Sequence, residues 1–223
     1  MAARILYRAR GAVTLVGGGP VAPGQLAAAL ALAPEAVAAD GGGDVPLPGG
    51  ARFRAVIGDL DSLRDIAALE RAGVPVHRLE EQETTDLEKC LYSVEAPLFI
   101  GLGFLGGRLD HHLAALNALA RNPGRAVVLV GGGELCFLCP ERFAIDLRPG
   151  TPLSLFPMAP VRGLASEGLR WPIAGLAFAP DGRVGTSNLA TGPVSLSLDG
   201  TGMLLILPAA SLPVAVARLA GGA

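Results

Sequence analysis

The sequence predicts an α/β fold: an N-terminal three-layer α/β/α domain with a mainly parallel sheet, then a C-terminal antiparallel β-sandwich or barrel. In the first part of the chain, apolar strand-like runs alternate with amphipathic segments, which is typical of a parallel sheet covered on both faces. Past about Leu135, short alternating runs are separated by Gly and Pro, and no helical period persists. We therefore expect two domains, residues 1–140 and 141–223, with the boundary near Pro140.

The elements of the first domain follow from the spacing of apolar residues. The predicted strands, in chain order, are Ala12–Gly19, Ala36–Asp40, Ala55–Asp59, Val74–Leu79, Pro97–Gly103 and Ala126–Gly132. The predicted helices are Gly24–Ala33, Ser62–Ala72, a segment that begins at Asp86, and a segment after Gly103 whose inward positions are Leu109, Leu113 and Leu116.

Two of these helices begin with residues at capping-box spacing, in which side chain and backbone at the helix start bond to each other. The pairs are Ser62 with Asp65 and Thr85 with Glu88. After Asp86, the apolar residues fall at i, i+3, i+4 and i+7, which predicts one buried helix face; they are Leu87, Cys90, Leu91 and Val94.

The second domain is predicted from short strand-like runs alone. These are Glu134–Pro140, Arg142–Leu147, Pro152–Met158, Gly175–Pro180, Val194–Gly200 and Met203–Ala209. Cys136 and Cys139 have the spacing of a metal knuckle, but no second pair or nearby histidine completes a site. We interpret them as thiols on a buried or half-buried strand.

Composition narrows the classes of partner. The net charge is −2 and the basic residues are scattered, whereas nucleic-acid binding needs a concentrated basic face. No run reaches the ~20 uninterrupted apolar residues of a membrane-spanning helix. The first ten residues lack the long apolar region and cleavage site of a signal peptide, so we expect a cytoplasmic protein without nucleic-acid or membrane partners.

Aspartates concentrate where predicted strands end or helices begin. Six of the ten occupy such positions: Asp40, Asp44, Asp59, Asp61, Asp86 and Asp110. In an open parallel sheet, ligands bind outside the carboxyl ends of the strands. Two carboxylates ~4 Å apart repel by roughly 1–4 kcal/mol, and a divalent cation removes that penalty. Because Mg²⁺ is typically held by one or two carboxylates together with substrate phosphates, these aspartates and the nearby glycine loops predict a nucleotide–metal site.

Simpler interpretations stay open for several of these residues. Asp61 or Ser62 could cap the next helix, and Asp86 could complement a helix dipole. Arg108 has the fork geometry that suits phosphate, although a surface salt bridge with Asp110 is an alternative.

Neither the dinucleotide fingerprint nor the Walker lysine motif accounts for the glycine runs. "GGGP" lacks a full dinucleotide fingerprint, and no Walker lysine motif is present, which disfavours a nicotinamide cofactor. We expect His111 to form hydrogen bonds in the site rather than bind a metal. Lysine occurs once, as Lys89, against seventeen arginines, which suggests a coding bias that replaces lysine wherever arginine serves.

Taken in order, five motifs resemble the thiamine pyrophosphokinase family. They are "ADGGGD", "GDLDS", "TTDLEKCL", "GGRLDHHLAALNAL" and "TSNL", and the similarity runs from about Ala39 to Leu207. The resemblance implies an α/β nucleotide domain followed by a β-sandwich, paired as a homodimer with thiamine near the subunit interface. It also implies transfer of the terminal diphosphate of ATP to the thiamine hydroxyl, giving thiamine diphosphate and AMP, with Mg²⁺ as cofactor.

The resemblance assigns roles to individual residues. Asp59, Asp61 and Asp86 match the acidic positions of the Mg²⁺ and catalytic set. The positions that match substrate-binding motifs are Asp40, Gly41, Gly42, Arg108, Asp110 and His111 for the nucleotide, Ser187 and Asn188 for thiamine, and Lys89 and Glu83 in the "TTDLEK" region. Two departures stand out, because the family usually has Asn at Asp44 and the acidic position before "TD" is here Glu83.

The expected chemistry is largely positioning and electrostatics. Mg²⁺ and Arg108 would offset charge on the phosphate oxygens, and Asp86 or Asp61 would take the hydroxyl proton. Trp171 has two open interpretations, packing near the thiamine ring or a core or inter-sheet role. Two rival functions are also open: a diphosphokinase of the same fold acting on a hydroxymethylpterin, and a nucleotide-binding regulator without turnover. The "TSN" element and the C-terminal sheet favour thiamine.

Overall fold

The computed structural model describes residues 4–221. The chain divides into two compact units by its internal contacts. The first unit runs to Ala118 and includes Leu129–Gly132, and the second comprises Leu119–Val128 and the chain from Gly133 onward.

The first unit is built on a parallel sheet. Its strands are β1 (Tyr7–Arg8), β2 (Val13–Val16), β3 (Glu35–Ala39), β4 (Ala55–Gly58), β5 (Val76–Arg78), β6 (Val94–Glu95), β7 (Phe99–Leu102) and, from Leu129 onward, β8 (Val127–Gly131). The main sheet has the order β8–β7–β2–β3–β4–β5, and the pairs from β7 to β5 are all parallel. The short strands β1 and β6 form a separate parallel pair.

The central strands are buried on both faces, as a parallel sheet covered by helices requires. All four residues of β2, of β4 and of β7 are buried. This burial explains why these strands appear in the sequence as continuous apolar runs rather than as alternating ones. The predicted parallel sheet is confirmed.

Four helices connect these strands: α1 (Pro23–Leu32), α2 (Ile66–Arg71), α3 (Asp86–Ser93) and α4 (Leu109–Arg121). The capping box of α3 is confirmed, since Thr85 Oγ1 accepts from the Glu88 N–H at 3.2 Å and Glu88 Oε2 accepts from the Thr85 N–H at 3.1 Å. The predicted Ser62–Asp65 box is wrong. Asp65 itself is the N-cap of α2, accepting from the Ala68 N–H at 2.8 Å, so the helix begins later than expected.

The inward face predicted for α4 is wrong at Leu109 and Leu113, and Leu116 is only half-buried. Leu109 is 72% exposed and Leu113 is 57% exposed, whereas Ala115, Ala118 and Leu119 are buried. The apolar spacing predicted a helix correctly, but the small alanine side chains face the interior because they allow close packing. Two large leucines one turn apart are left on the surface.

The second unit is antiparallel. Its strands are β9 (Glu134–Leu138), β10 (Arg142–Ile145), β11 (Pro152–Pro157), β12 (Val161–Leu169), β13 (Ala177–Phe178), β14 (Thr186–Leu198) and β15 (Met203–Pro208). The 13-residue strand β14 organises the unit. Its first part pairs with β11, and its second part pairs with β10 and β12, all antiparallel. The predicted antiparallel C-terminal part is confirmed.

One helix in the second unit contradicts the expectation that no helical period persists there. Helix α5 spans Leu212–Ala220, follows Ser211 as its N-cap residue and buries Leu212, Ala215 and Val216. Pro213 sits in its first turn, where a missing N–H costs nothing. The segment is short and almost wholly apolar, so the spacing of its apolar residues does not distinguish a helix from a strand. Across residues 4–221, no helix is both long and apolar enough to cross a membrane.

Candidate active site of the first unit

A cleft of about 1000 Å³ opens at the carboxyl ends of the parallel strands. Its walls come from the segments that directly follow β2, β3, β4 and β7, together with the start of α3. The volume lies at the upper end of the ~300–1,000 Å³ typical of small-molecule sites. A cleft at this edge of a parallel sheet is where the sheet topology predicts a ligand.

Three carboxylates meet in this cleft. Asp40 follows β3, while Asp59 and Asp61 follow β4, and each offers an oxygen within 4.8 Å of the others. Asp40 is only 5% exposed, and its buried Oδ1 has no hydrogen-bond partner among residues 4–221. An unpartnered buried carboxylate oxygen is costly unless a cation or a ligand contacts it. The cluster therefore fits a hard divalent cation such as Mg²⁺, which prefers oxygen ligands.

The backbone around the cluster is held in a conformation that side chains disfavour. Asp40 has φ 45° and Leu60, between Asp59 and Asp61, has φ 68°. Left-handed backbone at non-glycine residues costs on the order of 1–3 kcal/mol and concentrates at functional sites. Both departures belong to the two loops that carry the carboxylates.

Two neighbours of the cluster were missed in the sequence. Gln82 Nε2 donates to Asp59 Oδ2 at 2.9 Å, and this bond holds the pKa of Asp59 below its usual value. Arg64 lines the same cleft, and its backbone N–H donates to Asp44. Ser62 Oγ donates to Asp61 Oδ1 at 2.9 Å and so is tied to the cluster rather than to a helix end. Nothing in the local sequence around Gln82 marks it, because its partner lies 23 residues away.

Asp86 enters the cleft as the first residue of α3. Burial raises its pKa above the usual value; the Lys89 ammonium acts against that shift, and the charges of Asp40 and Asp59 add to it. Lys89 Nζ lies 3.4 Å from Asp86 Oδ1, and its side chain is only 2% exposed. The carboxylates within 4.8 Å of one another are thus Asp40, Asp59 and Asp61. Asp86, expected to share the metal, is not in this group, although it lines the same cleft and its pKa responds to Asp40 and Asp59.

The loop before α3 is organised by Glu81. Its carboxylate accepts from the backbone N–H groups of Glu83 and Thr84, from the Thr84 hydroxyl, and from Tyr92 Oη at 2.9 Å. This arrangement places Gln82 and Thr84 on the cleft wall. Glu83 is exposed and does not line the cleft, although its position in the sequence suggested a substrate contact.

The glycines of "ADGGGD" have two different physical roles. Gly41 lines the cleft, and a Cβ there would lie 3.1 Å from Ser62 Cβ. A Cβ at Gly42 would overlap the carbonyl oxygen of Val16, so the loop after β3 packs directly on the end of β2. Gly42 therefore shapes the site by close backbone approach.

Arg108 and Asp110 form the salt bridge that the sequence left open. Arg108 Nη2 lies 2.6 Å from Asp110 Oδ2 and Nε lies 3.1 Å from Oδ1, with both side chains well exposed. The Arg108 hydrogen bond lowers the pKa of Asp110 to about 2. Arg108 and His111 line the cleft, whereas Asp110 does not.

The two residues expected on the thiamine side lie in the second unit, on β14. Ser187 is exposed, and Asn188 is 3% exposed. The Asn188 carboxamide bonds to the backbone of Trp171 and to the Leu189 N–H, so its polar atoms are engaged within the protein. Trp171 is 50% exposed, which excludes the core role.

Two family models match the chain, one in each part, and both describe domains of thiamin pyrophosphokinase. The family model described as "Thiamin pyrophosphokinase, catalytic domain" matches residues 27–129. The model described as "Thiamin pyrophosphokinase, vitamin B1 binding domain" matches residues 142–201.

Individual relatives are moderately similar in sequence. Thiamine pyrophosphokinase 1 of Oryza sativa subsp. japonica is 31% identical over 150 residues, covering 59% of this chain and 57% of the relative. Thiamine pyrophosphokinase 1 of Arabidopsis thaliana is 31% identical over 150 residues, covering 59% and 56%. The chain thus spans little more than half the length of these relatives.

Solved structures share the fold. The thiamin pyrophosphokinase from Geobacillus thermodenitrificans superposes with a TM-score of 0.74 at 22% identity, covering 88% of this chain and 96% of that one. The yeast thiamin pyrophosphokinase gives a TM-score of 0.73 at 17% identity, covering 99% and 95%. With two family models matching in order along most of its length, the chain belongs to the thiamin pyrophosphokinase family.

Proposed function

We propose that this protein transfers the terminal diphosphate of ATP to the hydroxyl group of thiamine, giving thiamine diphosphate and AMP. The observation that carries the proposal is the group of Asp40, Asp59 and Asp61 in a cleft at the strand ends, where one buried carboxylate oxygen has no hydrogen-bond partner within the described part of the chain. Family membership supports the choice of substrates.

Asp40, Asp59 and Asp61 would hold Mg²⁺ in this proposal. When bound, the ion would neutralise charge on the phosphate oxygens and orient the diphosphate. The Gln82 amide would keep Asp59 ionised and correctly turned, because its hydrogen bond favours the charged carboxylate.

Asp86 is the better of the two expected candidates for the general base. Its pKa is raised by burial, and a carboxylate with a raised pKa accepts a proton more readily near neutral pH. The thiamine oxygen would form a bond to the β-phosphorus while the bond from that phosphorus to the α–β bridging oxygen breaks. AMP then leaves with the bridging oxygen, and the hydroxyl proton passes to Asp86.

Arg108 and the cleft glycines would bind the phosphates. The Arg108 guanidinium lines the cleft and is exposed, so an incoming phosphate can share or replace its bond with Asp110. His111, beside it on α4, would add a hydrogen bond.

We also propose a cytoplasmic homodimer. All three cysteines are unpaired and buried, which supports a reducing compartment. Leu109 and Leu113 are large apolar side chains exposed one turn apart on α4, which supports association with a second copy. Light scattering of the wild type and of Leu113→Glu tests this: a dimer that becomes monomeric in the variant is expected, and a monomeric wild type would contradict it.

A single assay tests the proposed reaction. The protein is incubated with ATP and Mg²⁺ and with thiamine, a hydroxymethylpterin or no acceptor, and AMP is measured. AMP that forms only with thiamine supports the proposal. AMP that forms with the pterin instead selects the related diphosphokinase, and tight ATP binding without AMP selects a regulator.

A further inference from the structure

We propose that Lys89 is a built-in counter-ion of the aspartate cluster, whose ammonium lowers the affinity of the site for Mg²⁺ alone and so couples metal binding to nucleotide binding. The inference rests on the metal site of the proposed function and concerns how that site is regulated. It is carried by the burial, position and charge of a single side chain.

The position of Lys89 is unusual for a lysine. Its side chain is 2% exposed, yet it lines the cleft, and its Nζ lies 3.4 Å from Asp86 Oδ1. Lysine is almost never fully buried unless it is paired with an opposite charge. The ammonium is therefore held at the inner wall of the cleft rather than at its mouth.

The charges around Lys89 explain why it is tolerated there. Asp40, Asp59, Asp61 and Asp86 bring up to four negative charges into one cleft. The Asp86 carboxylate feels the charges of Asp40 and Asp59 as well as that of Lys89, and Asp59 also feels Lys89. Without a metal, the ammonium is a positive charge within the protein that offsets part of this repulsion.

The same positive charge must oppose the arrival of Mg²⁺. Two cations that share one group of carboxylates repel each other, and a buried charge is poorly screened by solvent. Bound ATP makes Mg²⁺ binding favourable again, because its phosphates add negative charge that both the ammonium and the metal ion can neutralise. The site is thus expected to load metal and nucleotide together.

A metal titration without nucleotide tests the inference. Mg²⁺ is titrated into the full-length wild type and into Lys89→Met, followed by calorimetry and by the rise in Tm. Lys89→Met keeps the length of the side chain and removes its charge, and we expect it to bind Mg²⁺ on the order of tenfold more tightly. Lys89→Arg keeps the positive charge and should therefore not show this gain in Mg²⁺ affinity.

Arg64 provides a matched control. It is a cation that lines the same cleft but is 89% exposed, so solvent screens its charge. Arg64→Met should change Mg²⁺ affinity by less than about twofold. An equal gain in both Met variants would show a general charge effect and would overturn the specific role of Lys89.

The remaining outcomes are also decisive. Unchanged or weaker Mg²⁺ binding in Lys89→Met, with weaker ATP binding, would assign Lys89 to direct phosphate contact and overturn the inference while leaving the proposed reaction intact. A wild type that binds no Mg²⁺ at millimolar concentration would overturn the metal site and the inference together. Circular dichroism checks folding, and Lys89→Gln replaces Lys89→Met if that variant does not fold.

Discussion

The carboxamide of Asn188 forms hydrogen bonds with both the backbone N–H and the backbone carbonyl of Trp171. Its Oδ1 accepts from the Trp171 N–H at 3.1 Å, and its Nδ2 donates to the Trp171 carbonyl at 2.7 Å. The remaining positions bond to the Leu189 N–H at 3.0 Å and to Thr186 Oγ1 at 3.5 Å. The result is a half-exposed indole on a fixed backbone, with the Arg170 guanidinium 4.9 Å from its ring centroid.

Asn188→Ala is therefore expected to destabilise the protein by about 1–3 kcal/mol, because it leaves partly buried backbone groups of Trp171 without their hydrogen-bond partner. Urea unfolding followed by the emission of Trp171, the single tryptophan, measures both stability and the environment of the indole. Ser187→Ala, one residue away on the exposed face of β14, should stay within about 0.5 kcal/mol of the wild type. Similar losses in both variants would contradict the role assigned to Asn188.

Gly42→Ala should be among the most damaging changes in the first unit. The added Cβ would overlap the Val16 carbonyl, which is backbone and cannot rotate away. We expect a loss of about 3 kcal/mol or more in the free energy of unfolding. Gly18→Ala is the control, since its Cβ would lie 3.6 Å from the nearest atom, an ordinary contact. Chemical denaturation of both variants checks the difference.

Asp86 gives a pH dependence of stability with a definite sign. Burial raises its pKa in the folded protein, so the folded state favours the protonated carboxyl. Its contribution to stability is complete below the unfolded pKa of ~3.9 and is lost as the pH rises through the raised folded value. The stability of the wild type relative to Asp86→Asn should thus decline with rising pH over this window, measured by unfolding in chelator. If the stability of the wild type relative to Asp86→Asn instead increases with pH, the prediction is contradicted.

Asp59→Asn should abolish AMP formation while leaving the fold intact. The substitution removes one charge of the cluster, and we expect a fall in turnover of at least about 100-fold. Asp181→Asn, an exposed aspartate in the second unit, serves as the control and should retain wild-type activity. Near-normal turnover in Asp59→Asn, with the fold verified by circular dichroism, would contradict the proposed metal site.

Local chemistry in the sequence determined most of the first unit. The apolar runs predicted β2, β3, β4 and β7, and the Thr85–Glu88 pair predicted the start of α3. Such features depend on residues a few positions apart, so they can be predicted from the sequence without knowledge of the fold. The aspartates at strand ends could also be recognised in the sequence, because a parallel sheet brings the carboxyl ends of its strands to one edge.

Only the tertiary structure decided which side chains meet. It brought Asp40 together with Asp59 and Asp61. It also placed the Gln82 amide within hydrogen-bond distance of Asp59 and buried the Lys89 ammonium beside Asp86. It also turned the alanines of α4 inward in place of Leu109 and Leu113. These outcomes depend on distances between segments far apart in the chain and on the space available between them, and the local pattern of residues contains neither.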